Sequence, residues 1–394
     1  MKSIALLGST GSIGCSTVDV VAKYPEKYSF DMLIAGANAQ LLAQQIRQFR
    51  PRVAGLSDQS AFSSLCKELG VSSSSGRWQD TLLVSGDDEI ASAVTSSIAE
   101  LVVAAVVGMA GLQGVMAALD SGKNVALANK ESLVVAGSLV VEKAAERGAT
   151  LIPVDSEHSA IYQVLQGVPK GQLASIILTA SGGPFLRKPR SEFSSITPQE
   201  AVRHPRWSMG AKISVDSATL MNKALEVIEA RWLFDVSPEQ IEVIVHPQSV
   251  VHSMIRLHDE TVLAQLSEPD MKGPIAYALG YPDTRLPQVM PRLDFARIGE
   301  LTFQELDHET FPSVQRALEC LRGARGASAV FNAANEVAVA EFLAGKISFL
   351  AIFRLVEMAL DRFGDRGYAN LLELKELCNL VTEWTRQTAS SIPK

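Results

Sequence analysis

The stretch Ile4-Ala5-Leu6-Leu7-Gly8-Ser9-Thr10-Gly11-Ser12-Ile13-Gly14 sets an apolar run against three glycines at G-x-x-G-x-x-G spacing. An uninterrupted apolar run reads as a strand buried on both faces of a parallel sheet. The glycines allow a tight turn into a helix and let the backbone approach a pyrophosphate, while the free N–H groups at the helix start face the anion. The usual dinucleotide spacing is G-x-G-x-x-G, so this pattern draws its weight from its place after the first strand. The alternative is a strand–helix turn that binds nothing.

Outward from this turn the same rhythm repeats. Apolar runs at 30–35, 53–56, 101–107, 124–128 and 150–154 read as strands, with helical patterns at 16–23, 39–49 and 111–121 between them. That alternation predicts an α/β fold, a Rossmann-like doubly wound parallel sheet over residues 1–150. The serine-rich segment 72–76 reads as a surface loop. Near Leu151 the texture turns to α+β: runs at 175–179, 241–245, 250–257 and 261–266 suggest a second sheet, with a helix from Ser217 to Trp232, in a domain over 151–281. Residues 282–309, which include Pro282, Pro287 and Pro291, read as a connector. From Thr310-Phe311-Pro312 onward four helices are expected, with later starts near Ser328, Ser348 and Asn370 and stops at Gly345 and Gly364. They predict a C-terminal helical bundle over 310–394.

The 394 residues carry 36 basic and 43 acidic side chains, a net charge of −7, which argues against a duplex nucleic-acid partner. The greasy stretch 101–112 is too short to cross a bilayer. Met1 leads straight into the first strand with no leader-like pattern. Cys15, Cys66, Cys320 and Cys378 form no zinc or paired spacing, which suits a reducing compartment. The expectation is a cytoplasmic protein with neither membrane nor nucleic-acid partner.

Several constellations bear chemistry. The second strand ends Ala35-Gly36-Ala37-Asn38 without the carboxylate that holds the ribose hydroxyls in NAD sites, so NADP is favoured. Asp155-Ser156-Glu157 follows an apolar run; in an extended chain its two carboxylates point to one side, where hard oxygens would select Mg²⁺ or Mn²⁺. A solvated acidic turn is the alternative. Downstream, Ser217 is placed at a helix start, with Asn222, Lys223 and Glu226 on one face. Such a helix could hold a phosphate, with Glu226 reaching a metal, or it could be a capped surface helix with an ordinary Lys–Glu pair. Ser181-Gly182-Gly183-Pro184-Phe185 offers a second anion turn, and Asn129-Lys130-Glu131 stands at a strand's carboxyl edge. The segment His204-Pro205-Arg206-Trp207-Ser208-Met209-Gly210 reads as a loop able to close over a substrate. His158, His246, His252, His258 and His308 are assigned no chemistry, and the stretch between Cys66 and Cys320 excludes a thiol nucleophile there.

Taken in order, and with Ala334-Asn335-Glu336 in the tail, these motifs resemble the 1-deoxy-D-xylulose 5-phosphate reductoisomerase family over essentially the whole chain. The resemblance implies NADPH- and divalent-metal-dependent isomerisation and reduction of that sugar phosphate to 2-C-methyl-D-erythritol 4-phosphate, in non-mevalonate isoprenoid precursor synthesis. It implies an NADPH-binding first domain, a catalytic and dimerising second domain, and a homodimer. By matching motif positions, Thr10, Gly11, Ser12, Ile13, Gly36, Asn38, Asn129, Glu131 and Gly210 are cofactor candidates. Asp155, Glu157 and Glu226 are the candidate ligands of one Mn²⁺ or Mg²⁺ ion. Lys130, Ser156, Glu157, Ser181, His204, Trp207, Ser217, Asn222, Lys223 and Glu226 are substrate candidates, with catalytic roles for Lys130, Glu157 and His204. Many relatives carry a basic residue where Ala37 stands, so the grip on the 2′-phosphate departs from the family pattern. The competing expectations are an NADP-dependent dehydrogenase without skeletal rearrangement and a non-catalytic NADP sensor.

Overall fold

The computed structural model describes residues 1–203 and 210–392. By residue contacts the chain forms two compact units. One comprises Met1–Ser132, Val140–Ser159 and Asp270–Pro291; the other comprises Leu133–Leu139, Ala160–Pro269 and Arg292–Lys394.

The first half of the chain alternates strands β1 (Lys2–Leu7), β2 (Tyr28–Ala35), β3 (Val53–Leu56), β4 (Arg77–Trp78), β5 (Thr81–Ser85), β6 (Leu101–Ala104), β7 (Asn124–Leu127) and β8 (Leu151–Pro153) with helices. The helices are α1 (Ser12–Lys23), α2 (Ala39–Phe49), α3 (Phe62–Leu69), α4 (Asp87–Ser96), α5 (Leu112–Asp120) and α6 (Lys130–Arg147). The strands form one sheet in the order β4-β5-β3-β2-β1-β6-β7-β8. Every pairing is parallel except that of β4 with β5. Ile4, Ala5 and Leu6 are fully buried, as strands covered on both faces require. The doubly wound sheet read from the first strand is present. Strands β4 and β5 and helices α3 and α4 are not among the elements read from the sequence. The run at 101–107 is shorter than its apolar content suggests: β6 ends at Ala104, and Val107 is exposed where the chain turns at Gly108.

Beyond α7 (Ser156–Leu165), a second sheet runs β10-β9-β11-β12, built from β9 (Leu173–Ala180), β10 (Ile241–Val245), β11 (Val251–Leu257) and β12 (Val262–Leu266). Only β10 and β9 pair in parallel. Between β9 and β10 lie α8 (Pro198–Ala201), α9 (Ala211–Ala218) and α10 (Met221–Phe234). The helix expected at 217–232 is therefore two helices, broken at Thr219 and Leu220, and Ser217 lies in the last turn of α9 rather than at a helix start. Helices α11 (Lys272–Gly280) and α12 (Phe295–Ile298) flank the proline-rich stretch. The tail then forms α13 (Ser313–Arg322), α14 (Ala327–Leu343), α15 (Phe349–Phe363) and α16 (Leu371–Ala389). Asn370 caps α16 by accepting from the backbone of Leu372 and Glu373, each at 3.0 Å. An aromatic cluster of Phe185, Phe193, Phe311 and Phe349 packs with ring centroids 5.5–6.2 Å apart, within the range of favourable tilted and edge-on pairs.

Candidate active site

The first sheet changes its direction of growth between β1 and β6, the point at which open α/β sheets bind ligands. The loops leaving these two strands run side by side, and Ala105 N donates to Leu7 O at 2.8 Å. A cavity of about 300 Å³ opens there, walled by Ile34, Ile90 and Val106 and lined with Thr10, Gly11, Gly36, Ser57, Asp87 and Gln113. Two glycines give the turn its shape. Gly8 has φ +91°, and a Cβ there would sit 2.5 Å from Ala105 O; a Cβ on Gly14 would sit 2.1 Å from Gly8 O. Gly11 differs, because a Cβ there meets only Gly8 O, at 3.5 Å, on a residue that lines the cavity. Backbone N–H groups at the start of α1 therefore lie open to an anion. Within α1 the Cys15 thiol is pushed up by burial and then by Asp19, so it stays protonated and brings no negative charge to the turn.

Thr10, Gly11 and Gly36 line the cavity, and Ser12 and Ile13 form the first turn of α1. Asn38 caps α2, its Oδ1 accepting from Leu41 N at 3.1 Å. Asn129 caps α6 through Ser132 N at 3.0 Å and donates from Nδ2 to Val106 O at 2.6 Å and Gly108 O at 2.9 Å. Its amide thus braces the loop that forms one cavity wall, and Glu131 accepts from the same Nδ2 at 3.3 Å. Gly210 opens α9 in the other unit. Sequence reading passes over Ser57, Asp87 and Gln113. Their signal is positional: Ser57 follows β3 and Asp87 opens the helix after β5, at the carboxyl ends that face the crevice.

Residues 155–157 are not extended. β8 ends at Pro153 and α7 begins at Ser156, so Asp155 stands at a helix start and Glu157 in the first turn. Asp155 Oδ1 accepts from Ser156 N at 3.1 Å, and its carbonyl accepts from Ser159 N at 2.8 Å. A carboxylate at that position meets the positive end of the helix dipole, which favours a helix start over prolonging the strand. Lys130 Nζ forms an ion pair with Asp155 Oδ2, and His158 Nδ1 lies 3.9 Å from the same oxygen. Ser156 Oγ donates to Glu157 Oε2.

In the other unit, Ser181 Oγ accepts from Gly183 N at 3.3 Å. A Cβ on Gly183 would lie 2.5 Å from Ser217 O, so the glycine turn presses directly on the end of α9. On α10, Asn222 Nδ2 and Lys223 Nζ both donate to the Glu226 carboxylate. Lys223 and Glu226 are almost fully buried. The i+3 and i+4 spacings thus bring these three side chains together as expected, although the helix start lies elsewhere. His204 and Trp207 lie outside the described residues. His246 is structural: its Nδ1 is 2.9 Å from Thr302 O, and its Nε2 accepts from Val250 N and Val251 N at 3.2 Å.

The candidate ligand groups on Asp155, Glu157 and Glu226 are all carboxylate oxygens. That chemistry fits a hard divalent cation and not a thiolate-bound metal. The cavity at the glycine turn lies where doubly wound sheets bind dinucleotides.

Comparison with known proteins agrees along the chain. A family model described as 1-deoxy-D-xylulose 5-phosphate reductoisomerase matches residues 4–137. Models of C-terminal domains of the same enzyme match 151–234 and 266–388. The reductoisomerase of Gloeobacter violaceus is 46% identical over 98% of this chain and 96% of its own length. That of Laribacter hongkongensis is 48% identical over 96% of both chains. A Zymomonas mobilis reductoisomerase structure with NADPH superposes with a TM-score of 0.90 at 39% identity, covering 99% of this chain and 100% of that one. A reductoisomerase structure with NADPH, fosmidomycin and magnesium gives 0.90 at 38% identity, covering 99% and 98%. Similarity of this extent spans both units and every motif described above, and the chain belongs to the 1-deoxy-D-xylulose 5-phosphate reductoisomerase family.

Proposed function

We propose that this protein is an NADPH- and divalent-cation-dependent enzyme that isomerises and reduces 1-deoxy-D-xylulose 5-phosphate to 2-C-methyl-D-erythritol 4-phosphate, a step toward isoprenoid precursors. The observation that carries this reading is the full-length likeness to reductoisomerases whose structures hold NADPH and magnesium. Residues 1–150 bind the cofactor, 151–281 carry catalysis and dimerisation, 282–309 connect and 310–394 form the helical tail. The working form is a homodimer. Among the described residues no helix is long and apolar enough to cross a membrane. Four free cysteines suit the reducing cytoplasm.

Asp155, Glu157 and Glu226 hold one Mg²⁺ or Mn²⁺ ion, which when bound supplies Lewis-acid polarisation of the substrate's oxygens, while NADPH supplies the hydride. Ser181, Ser217, Asn222 and Lys223 grip the phosphate; it is remote from the reacting carbons, so its binding energy serves orientation. Lys130, at the start of α6 and paired with Asp155, is placed to move a proton together with Glu157. Thr10, Gly11 and Gly36 seat the dinucleotide, and Asn129 and Glu131 hold the adjoining loop.

The test is purified protein with NADPH, Mg²⁺ or Mn²⁺, and the deoxyxylulose phosphate. NADPH absorbance falls only when metal and this substrate are both present. Oxidation with a simple hydroxy-acid or semialdehyde partner instead indicates an ordinary dehydrogenase, and binding without turnover indicates a sensor.

A further inference from the structure

We propose that Asn335, on α14 of the helical tail, is a positioning residue for the phosphate grip: through Asp216, and together with Ser313 of α13, it fixes the α9–α10 break that lies between Ser217 and the Asn222–Lys223 pair. The inference rests on the phosphate role proposed above.

The break is not a relaxed one. α9 ends at Ala218, α10 begins at Met221, and Leu220 between them has φ +56°, a left-handed conformation that non-glycine residues adopt only where the surroundings over-determine it. Two of the groups that hold it come from the tail. Ser313 Oγ donates to Thr219 O at 2.9 Å. Asn335 Nδ2 donates to Asp216 Oδ1 at 2.9 Å. The other Asp216 oxygen pairs with Lys212 Nζ at 2.8 Å, one turn earlier on α9. Thr219 Oγ1 closes the corner by donating to Val215 O at 3.0 Å.

Burial makes Asp216 a rigid handle. It is 1% exposed and carries a carboxylate, so its position is dictated by the groups that compensate it, Lys212 and Asn335. Ser217 is the next residue, and its carbonyl sits in close contact with the Gly183 turn that follows Ser181. Moving Asp216 therefore moves Ser217. Asn335 itself is fully buried, and its Oδ1 has no hydrogen-bond partner among the described residues. A buried amide chosen only to fill space would be replaced at lower cost by an apolar side chain. Among the described residues its bond to Asp216 is the side-chain contact that an apolar residue cannot make. The Ala334-Asn335-Glu336 motif, which the catalytic chemistry leaves unused, thereby acquires a role.

The test uses the full-length enzyme and four variants: Asn335→Ala, Asp216→Asn, the exchanged pair Asp216→Asn with Asn335→Asp, and Ser313→Ala. Four quantities are read: KM for the sugar phosphate, kcat, the inhibition constant of inorganic phosphate, and the NADPH dissociation constant. Asn335→Ala is expected to raise KM and the phosphate constant by about tenfold, the order expected for losing a hydrogen bond to a charged group, with NADPH affinity within about twofold of the parent. The exchanged pair restores the donor–acceptor match between 216 and 335 but moves the charge away from Lys212, so it is expected to recover part of the KM lost in Asp216→Asn. Ser313→Ala removes a single hydroxyl and supplies the second arm if Asn335→Ala does not fold; a rise of about threefold in KM is expected. The proposal is overturned if KM and phosphate binding stay at parental values in a folded variant, if NADPH affinity falls in step with them, or if the exchanged pair recovers nothing. Should the parent enzyme fail to turn over the deoxyxylulose phosphate, the functional reading fails, and inorganic phosphate binding measured calorimetrically still decides the positioning role.

Discussion

Two alanine substitutions in the glycine turn separate what the turn does for the fold from what it does for the cofactor. A Cβ on Gly14 would lie 2.1 Å from Gly8 O and 2.6 Å from the Ser9 carbonyl carbon, both backbone atoms that cannot swing aside. Relief to an ordinary contact requires α1 to retreat by about 1 Å, and overpacking of this kind costs about 1–3 kcal/mol. For a unit of this size that is a fall in Tm of about 2–12 °C. The same shift carries the N–H groups of α1 off the pyrophosphate position, and about 1 Å of misplacement is enough for a loss of one to two decades in affinity. Gly11→Ala meets nothing nearer than 3.5 Å, so the fold tolerates it, yet the methyl stands in the cavity. Its expected signature is NADPH affinity lowered at least about tenfold with Tm within about 1 °C of the parent. The assay is NADPH fluorescence titration beside a thermal scan of each variant. Parental NADPH affinity in Gly11→Ala would refute the placement of the dinucleotide at this turn, and an undisturbed Tm in Gly14→Ala would refute the close-packing account.

Glu226→Gln is expected to lower metal-dependent turnover about a thousandfold or more, while NADPH binding stays within about twofold. It also leaves the Lys223 ammonium buried without its carboxylate, a loss of about 3–5 kcal/mol visible as a lower urea midpoint; parental activity would remove Glu226 from the metal set. In the native protein a thiol reagent should find Cys15 alone, and that slowly, because Cys66 is buried and burial pushes Cys320 and Cys378 up to about 12. All four should react after unfolding, and fast native reaction at Cys320 or Cys378 would contradict the packing of the tail. For Asp31, burial raises the carboxyl, but hydrogen bonds from Arg52 at 2.8 Å and Ser97 outweigh it and hold the group below its ordinary value. Its stabilisation is therefore present above the unfolded value near about 3.9 and is lost as pH falls through the lower native value. Arg52→Leu should lower the urea midpoint near neutrality and converge on the parent in acid; a gap that does not narrow between about pH 6 and pH 2 would count against the pairing.

How much could be read without coordinates follows from where the information sits. The strands of the first sheet that are buried on both faces, such as β1 and β2, were legible because burial forces a continuous apolar run. β4 has only two residues, too few for any period to register, and β5 is a mixed Thr-Leu-Leu-Val-Ser run rather than a continuous apolar one, so the sheet's far edge was not read. Asp155 and Glu157 were legible as a pair but not in conformation: a short apolar run followed by acidic residues fits a strand's end and a helix's start equally well. The backbone bonds from Ser156 and Ser159 to Asp155 decide for the helix.

The α9–α10 break shows the same division within one site. The meeting of Asn222, Lys223 and Glu226 is encoded locally, since residues three and four apart on any helix share a face, and it survives an error in where that helix begins. The start itself is not local. No glycine or proline marks Leu220, and a serine preceding an apolar stretch is a sound capping signal, so sequence favours Ser217 as the first residue. The chain breaks three residues later because partners about a hundred residues downstream, Ser313 and Asn335, bind Thr219 and Asp216. Tertiary bonds of this span leave no trace in periodicity. They also tie the helical tail to the corner next to Ser217, so that, on the phosphate role proposed above, a substitution far along the sequence is expected to act on substrate affinity and to leave the cofactor turn unaffected.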